Sequence, residues 1–129
     1  MNKILVEVSI GELLDKISIL EIKQEKIKDP EKLKFINNEY SILKEQLKKN
    51  VKSDDRLNKL YCSLKEINAK LWIIEDEKRQ CEKDKKFDEK FVKLSRDVHF
   101  FNDDRAKIKL EINSHTGSSI REIKEYTSY

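Results

Sequence analysis

Between Leu57 and Ile112 two apolar stripes recur at helical spacing. The first reads Leu57, Leu60, Leu64, Ile67, Leu71, Ile74 and Cys81, and the second reads Phe91, Leu94, Val98, Phe101, Ile108 and Ile112. Alternating steps of three and four residues place each set on one side of a helix. Two shorter stripes precede them. Leu13, Ile17, Leu20, Gln24 and Ile27 form one, while Leu33, Ile36, Tyr40, Leu43 and Leu47 form a strict seam of the coiled-coil type. Helix-start signals divide the stripes. Ser9 with Glu12 is an S-x-x-E capping box, Asp29 before Pro30 restarts the chain, Ser53 precedes Asp54 and Asp55, and Asp88 follows Phe87. The pattern predicts helices over about 10–28, 31–50, 54–83 and 88–114, ending before Gly117. A second S-x-x-E box, Ser119 with Glu122, predicts a short helix over 120–126. Ahead of the first helix, Ile4, Val6 and Val8 alternate with Leu5 and Glu7, a strand-like pattern with no second strand to pair with except the same segment of another copy.

The expected fold is therefore all-α. It is a single domain over 1–129, an elongated antiparallel bundle of two long-helix hairpins with a short extended N-terminal segment and a short C-terminal helix. Composition agrees, since two glycines and one proline leave little for the turns of a β-rich fold. Charged residues make up 41% and the hydrophobic set 37%, which suits narrow stripes between broad solvated faces.

Charge and chemistry then remove several function classes. The 28 basic and 25 acidic residues are interleaved, and the lysines gather at predicted helix ends, so no basic face suited to nucleic acid emerges. No apolar run is long enough to span a membrane and no secretory signal opens the chain, which places it in the cytoplasm. Cys62 and Cys81 have no metal-type spacing and no histidine to activate them. A magnesium site would need carboxylate pairs; Glu12 with Asp15, or Asp76 with Asp103 or Asp104, are too sparse, and His99 with Asp103 lacks a third ligand. With no glycine-rich phosphate loop either, neither metal nor cofactor is expected.

What remains is polar chemistry on the stripes themselves. Asn68, Trp72, Glu75, Arg79 and Glu82 share one face of the third helix, and Val98, Asn102, Arg105 and Lys109 share one of the fourth. A hairpin turning near Lys85 puts residues whose numbers sum to about 170 at one height, bringing Asn68 towards Asn102 and Arg105 towards Glu66. Asp15 and Lys16 lie beside the first seam. The candidate cluster is accordingly Asp15, Lys16, Trp72, Glu75, Asp76, Arg79, Asn102, Asp103 and Arg105. Two readings compete. Polar groups at seam positions can lock helix register, each needing a buried partner. Alternatively Arg79 and Arg105 hold an anionic group while Glu75 or Asp76 acts as acid or base beside Trp72.

The stretches SIGELLDKISILEIKQEKI, LWIIEDEKR, FFNDDRAKIKLEIN and EIKEY resemble an uncharacterised family of small helical bacterial proteins, a domain of unknown function. The resemblance covers nearly the whole chain and is connected with cell-surface polysaccharide gene neighbourhoods. It implies a shared fold and a shared polar set comprising Ser9, Glu12, Asp15, Lys16, Glu21 and Lys23 on the first helix, then Trp72, Glu75, Asp76 and Arg79 on the third. Asn102, Asp103, Arg105, Lys107 and Asn113 on the fourth, and Glu122, Lys124 and Tyr126 at the end, complete the set. It implies no reaction. Two function classes follow: a cytoplasmic helical interaction protein, dimeric or held by a protein partner, and a small-molecule enzyme or binder of a phosphate or carboxylate ligand.

Overall fold

The computed structural model describes residues 2–120 and 122–129. Four helices follow one another, α1 (Ile10–Lys26), α2 (Pro30–Asn50), α3 (Asp55–Asp84) and α4 (Glu89–Thr116). Their starts are set by local hydrogen bonding. Ser9 Oγ accepts the Glu12 N–H at 3.0 Å, Asp29 accepts from Glu31, and Asp88 accepts from Lys90. The third helix departs from the expectation by one residue, because Asp54, not Ser53, is its cap: a carboxylate oxygen accepts the Leu57 N–H at 2.7 Å. Helix α3 ends on Lys85 and α4 on Gly117, both left-handed (φ 55° and 72°), which closes the last turns through carbonyls of the preceding residues.

The α3/α4 hairpin is antiparallel, and at 30 residues α3 extends about 45 Å. Helix α1 is much shorter and covers only one end of that hairpin. The result is two cores. Where α1 sits, Leu14, Leu57, Leu64 and Ile112 are buried together, flanked by Leu47 and Val51. Beyond α1, the two-helix stem closes on Ile74, Cys81 and Leu94 with Phe91, Val98 and Phe101.

Helix α1 is the hub, with eight buried residues. Gly11 explains how close it comes to α4: a Cβ there would lie 2.7 Å from the Lys109 carbonyl oxygen and 2.9 Å from Asn113 Oδ1. Its bare N–H instead donates to Asn113 Oδ1 at 2.7 Å. Helix α2 is the opposite case. It runs antiparallel along α1, makes no helix-to-helix approach to α3 or α4 among the described residues, and buries none of its own side chains. A three-helix junction ties it on, where Glu21 of α1 accepts from Tyr40 of α2 at 2.9 Å and from the Tyr61 hydroxyl of α3. Burial and that carboxylate push the Tyr40 phenol up to about 12 and raise Tyr61 further still.

Both chain ends differ from helix. Residues 2–8 form neither helix nor strand and are exposed. The expected helix over 120–126 does not form among the described residues of that range. The reason is visible at Glu122, which pairs with Lys109 of α4 at 3.0 Å instead of closing a capping box with Ser119. The tail continues back along α4 until the Tyr129 hydroxyl donates to Asp103 and its ring meets His99 and Phe100 edge-on. No described helix is long and apolar enough to cross a membrane.

Candidate functional site

The polar residues of the stripes divide into two groups that meet on α3. The first is buried. Asn68, 5% exposed, donates from Nδ2 to Asp15 Oδ1 and to Ser18 Oγ, both at 2.8 Å. Ser18 Oγ donates in turn to the Asp15 carbonyl at 2.8 Å. Lys109, 7% exposed, places its ammonium 2.7 Å from Glu12, 3.0 Å from Glu122 and 3.9 Å from Asp15. Burial alone would pull the Lys109 ammonium down, but the hydrogen bonds to Glu12 and Glu122 and the charge of Asp15 outweigh it and hold the group above its ordinary value. The same contact lowers Glu122 below the ordinary carboxylate value. Every buried side-chain polar atom among the described residues has a partner. This half is a network linking α1, α3, α4 and the tail, buried at Asp15, Ser18, Asn68 and Lys109 and reaching solvent at Glu12 and Glu122.

The second group lines an open groove of about 360 Å³ beside α3, at the junction of bundle and stem. Ile19, Leu71 and the half-buried Trp72 form its apolar surface, and Glu75, Asp76, Arg79 and Arg105 its polar one. Spacing explains the wall. Residues 68, 72, 75, 76 and 79 fall on one side of α3, and α1 ends its cover just past Asn68, so the last three project into solvent. Of the two sequence readings, the one that buries Glu75 and Arg79 in the seam does not hold, because Ile74 and Cys81 take the contact with α4 and leave both exposed.

Arg105 joins the two groups. Its Nη1 donates to Asn68 Oδ1 at 3.3 Å, holding the guanidinium at the groove's inner edge while leaving its other donors unused by that bond. The expected pairings of Asn68 with Asn102 and of Arg105 with Glu66 are replaced by this one. Neither Arg79 nor Arg105 forms an ion pair with a carboxylate among the described residues.

Of the nine candidate positions, the structure therefore brings Trp72, Glu75, Asp76, Arg79 and Arg105 together in the groove and places Asp15 in the buried network behind it. Lys16 faces solvent, Asn102 is half-buried outside the groove, and Asp103 serves the tail through Tyr129. Ser18 was the missed member, and Glu122, named in the shared set and read as a helix-capping residue, serves Lys109 instead. Ser18 carries no signal beyond its place between Ile17 and Ile19, whereas Lys109 shares the Asn102 and Arg105 face and was legible as a polar residue of the seam.

Comparison with known proteins agrees with the family resemblance. Residues 4–129 match the family of unknown function DUF6165. The chain belongs to that family. The match spans both polar groups, so network and groove lie within one family domain. No curated protein and no solved structure matches the chain.

No group of three or more His, Cys, Asp or Glu side chains suited to a metal occurs among the described residues. The groove carries two guanidiniums and two carboxylates beside an indole. Guanidiniums present planar forked donors to phosphate or carboxylate, and an indole face beside them accepts a flat or apolar ligand part.

Proposed function

We propose that this protein binds a small anionic ligand in the groove, with Arg79 and Arg105 on the ligand's negative group and Trp72 against its apolar part. One observation carries the reading: two guanidiniums line an open groove without carboxylate partners, one of them held in place from behind by Asn68. Glu75 and Asp76 share the groove without pairing with either guanidinium, and the forked hydrogen-bond geometry of arginine favours phosphate or carboxylate. Glu75 and Asp76 on the same wall suit hydroxyl groups of the ligand. The resemblance to proteins of cell-surface polysaccharide gene neighbourhoods makes sugar phosphates and nucleotide sugars the first probes.

A thermal-shift titration with inorganic phosphate, sugar phosphates and nucleotide sugars tests this. A ligand bound only by the folded state at about 100 times its dissociation constant adds about 2.7 kcal/mol, a readily measured rise in Tm. The rise is expected in the native chain and lost in Arg79→Ala. An unchanged Tm across the panel overturns the reading.

A second reading, a helical interaction protein that self-associates in the cytoplasm as a dimer, is favoured by a different observation. Ile4, Leu5 and Val6 are 88%, 87% and 73% exposed, and α2 leaves Phe35 and Ile42 uncovered. Exposed apolar residues grouped along a segment or a helix face suit a contact site.

A further inference from the structure

Over α1, helices α2 and α3 leave between them a trough of about 660 Å³ that shares no lining residue with the arginine groove. Leu14 and Ile17 of α1 form its floor, with Leu47 and Val51 on one wall and Leu57 and Tyr61 on the other. Ile4–Val8 is a segment of matching character, with the apolar side chains of Ile4, Leu5, Val6 and Val8 uncovered. We propose that the trough receives the N-terminal segment of a second copy of this chain, two copies exchanging segments reciprocally. This rests on the interaction reading above and is independent of the anionic groove.

Length, pattern and charge agree. Five extended residues cover about 17 Å at about 3.3 Å each. The trough follows α2 from Tyr40 to Val51, about 16 Å at about 1.5 Å per residue. Alternation puts Ile4, Val6 and Val8 on one face, towards the floor, and turns Leu5 and Glu7 outward. Glu7 then meets the rim, where Lys44 and Lys48 stand one turn apart as like charges. Glu45 on the same rim is already paired with Lys49 at 3.8 Å. The trough is open along its length, so the outer backbone edge of an extended guest stays hydrated.

The guest is another copy's segment for a topological reason. Leu14 and Ile17 lie downstream of Ser9, so a segment preceding Ser9 must reverse to reach them. Ser9 is buried, caps α1 and adjoins Ile10, whose N–H donates to Ser118 Oγ at 3.4 Å, so the reversal cannot use these residues. It would consume about four residues before them, Val6 and Val8 included, and leave too little apolar segment to fill the trough. Exchange between two copies needs no reversal and closes with two-fold symmetry.

Sedimentation of the full chain over a range of micromolar concentrations, together with site-directed crosslinking, tests the proposal. The native chain is expected to dimerise, and the double variant Ile4→Asp, Val6→Asp to raise the dimer dissociation constant about a hundredfold with unchanged thermal melting of the monomer, since these residues touch no core. Glu7→Lys should weaken the dimer and Lys44→Glu with Lys48→Glu should restore it. In a Cys62→Ser background, copies carrying Val6→Cys mixed with tagged copies carrying Ser41→Cys should give a mixed disulfide dimer on oxidation. A dimer indifferent to the segment variants overturns the exchange while leaving self-association standing. A monomer at every concentration overturns both, and an intrachain disulfide in the Val6→Cys, Ser41→Cys double variant without the mixed dimer overturns the second copy as guest.

Discussion

Asn68 and Trp72 are one helical turn apart on α3, yet the polar groups around them are in opposite states. Around Asn68 every donor and acceptor is matched inside the protein, from Ser18 and Asp15 through Lys109 to Glu12 and Glu122. Around Trp72 the charges face water, and Arg79 and Arg105 have no carboxylate partner among the described residues. The cause is where α1 stops covering α3. Under α1 a polar side chain must be satisfied within the fold because desolvation is costly, and past it the same residue types are free to serve an incoming group. Arg105 sits on the boundary and belongs to both.

The comparison breaks most easily at Lys109. Lys109→Met leaves Asp15 and Glu12 without their cation and should cost about 3–5 kcal/mol in urea unfolding, the penalty of stranding a buried charge. Stability within 1 kcal/mol of native, about the worth of an exposed pair, would show that the network is not buried. Next comes Gly11→Ala. Its Cβ would meet the Lys109 carbonyl at 2.7 Å, and forcing α1 from α4 should cost about 1–3 kcal/mol. A wild-type Cm would refute the close approach.

Arg105→Ala separates the halves. Losing one hydrogen bond to Asn68 should cost about 1 kcal/mol, since the side chain is half-buried and Asn68 keeps its other partners. A loss of 3–5 kcal/mol would move Arg105 into the buried network.

Acid titration should show a smaller effect. Glu122 is held below its ordinary value of 4.5 by Lys109, so its contribution is present above that pH and is lost as pH falls through the depressed value. Lys109 is held above its ordinary 10.5, so its contribution is complete below that pH and lost as pH rises through the elevated value. The tail should therefore detach at acid pH before the bundle melts, seen as a change in Tyr129 fluorescence ahead of the helical signal. Coincident transitions would count against the Glu122 tie. Glu75→Ala and Arg79→Ala should be nearly silent, within about 0.5 kcal/mol, because both are exposed. Strong destabilisation by either would return the groove to the structural network.

How much of this was legible in the chain depends on how local the cause is. The four helices and most of their caps follow from stripes and neighbouring residues, so Ser9, Asp29 and Asp88 were readable and the shift from Ser53 to Asp54 is a choice between adjacent caps. The stripe also showed Asn68 and Arg105 as polar intrusions. What it did not carry was the extent of α1 over α3, a non-local quantity that separates the buried Asn68 from the exposed Glu75 and Arg79. The tail failed for the same reason. Ser119 and Glu122 have the local pattern of a helix start, but Glu122 is taken by Lys109, thirteen residues back along the chain.

Helix α2 leans on a single neighbour, and this sets an order of local opening. A segment whose helix-to-helix contacts all lie with α1 can detach while α1, α3 and α4 keep their shared core. Sub-global opening of that kind costs less than complete unfolding, so amides of Leu33 through Leu43 should exchange with solvent faster than those of Leu64 or Ile112. The expected outcome is two units that open in sequence, with α2 released first although Leu47 rests against the shared core.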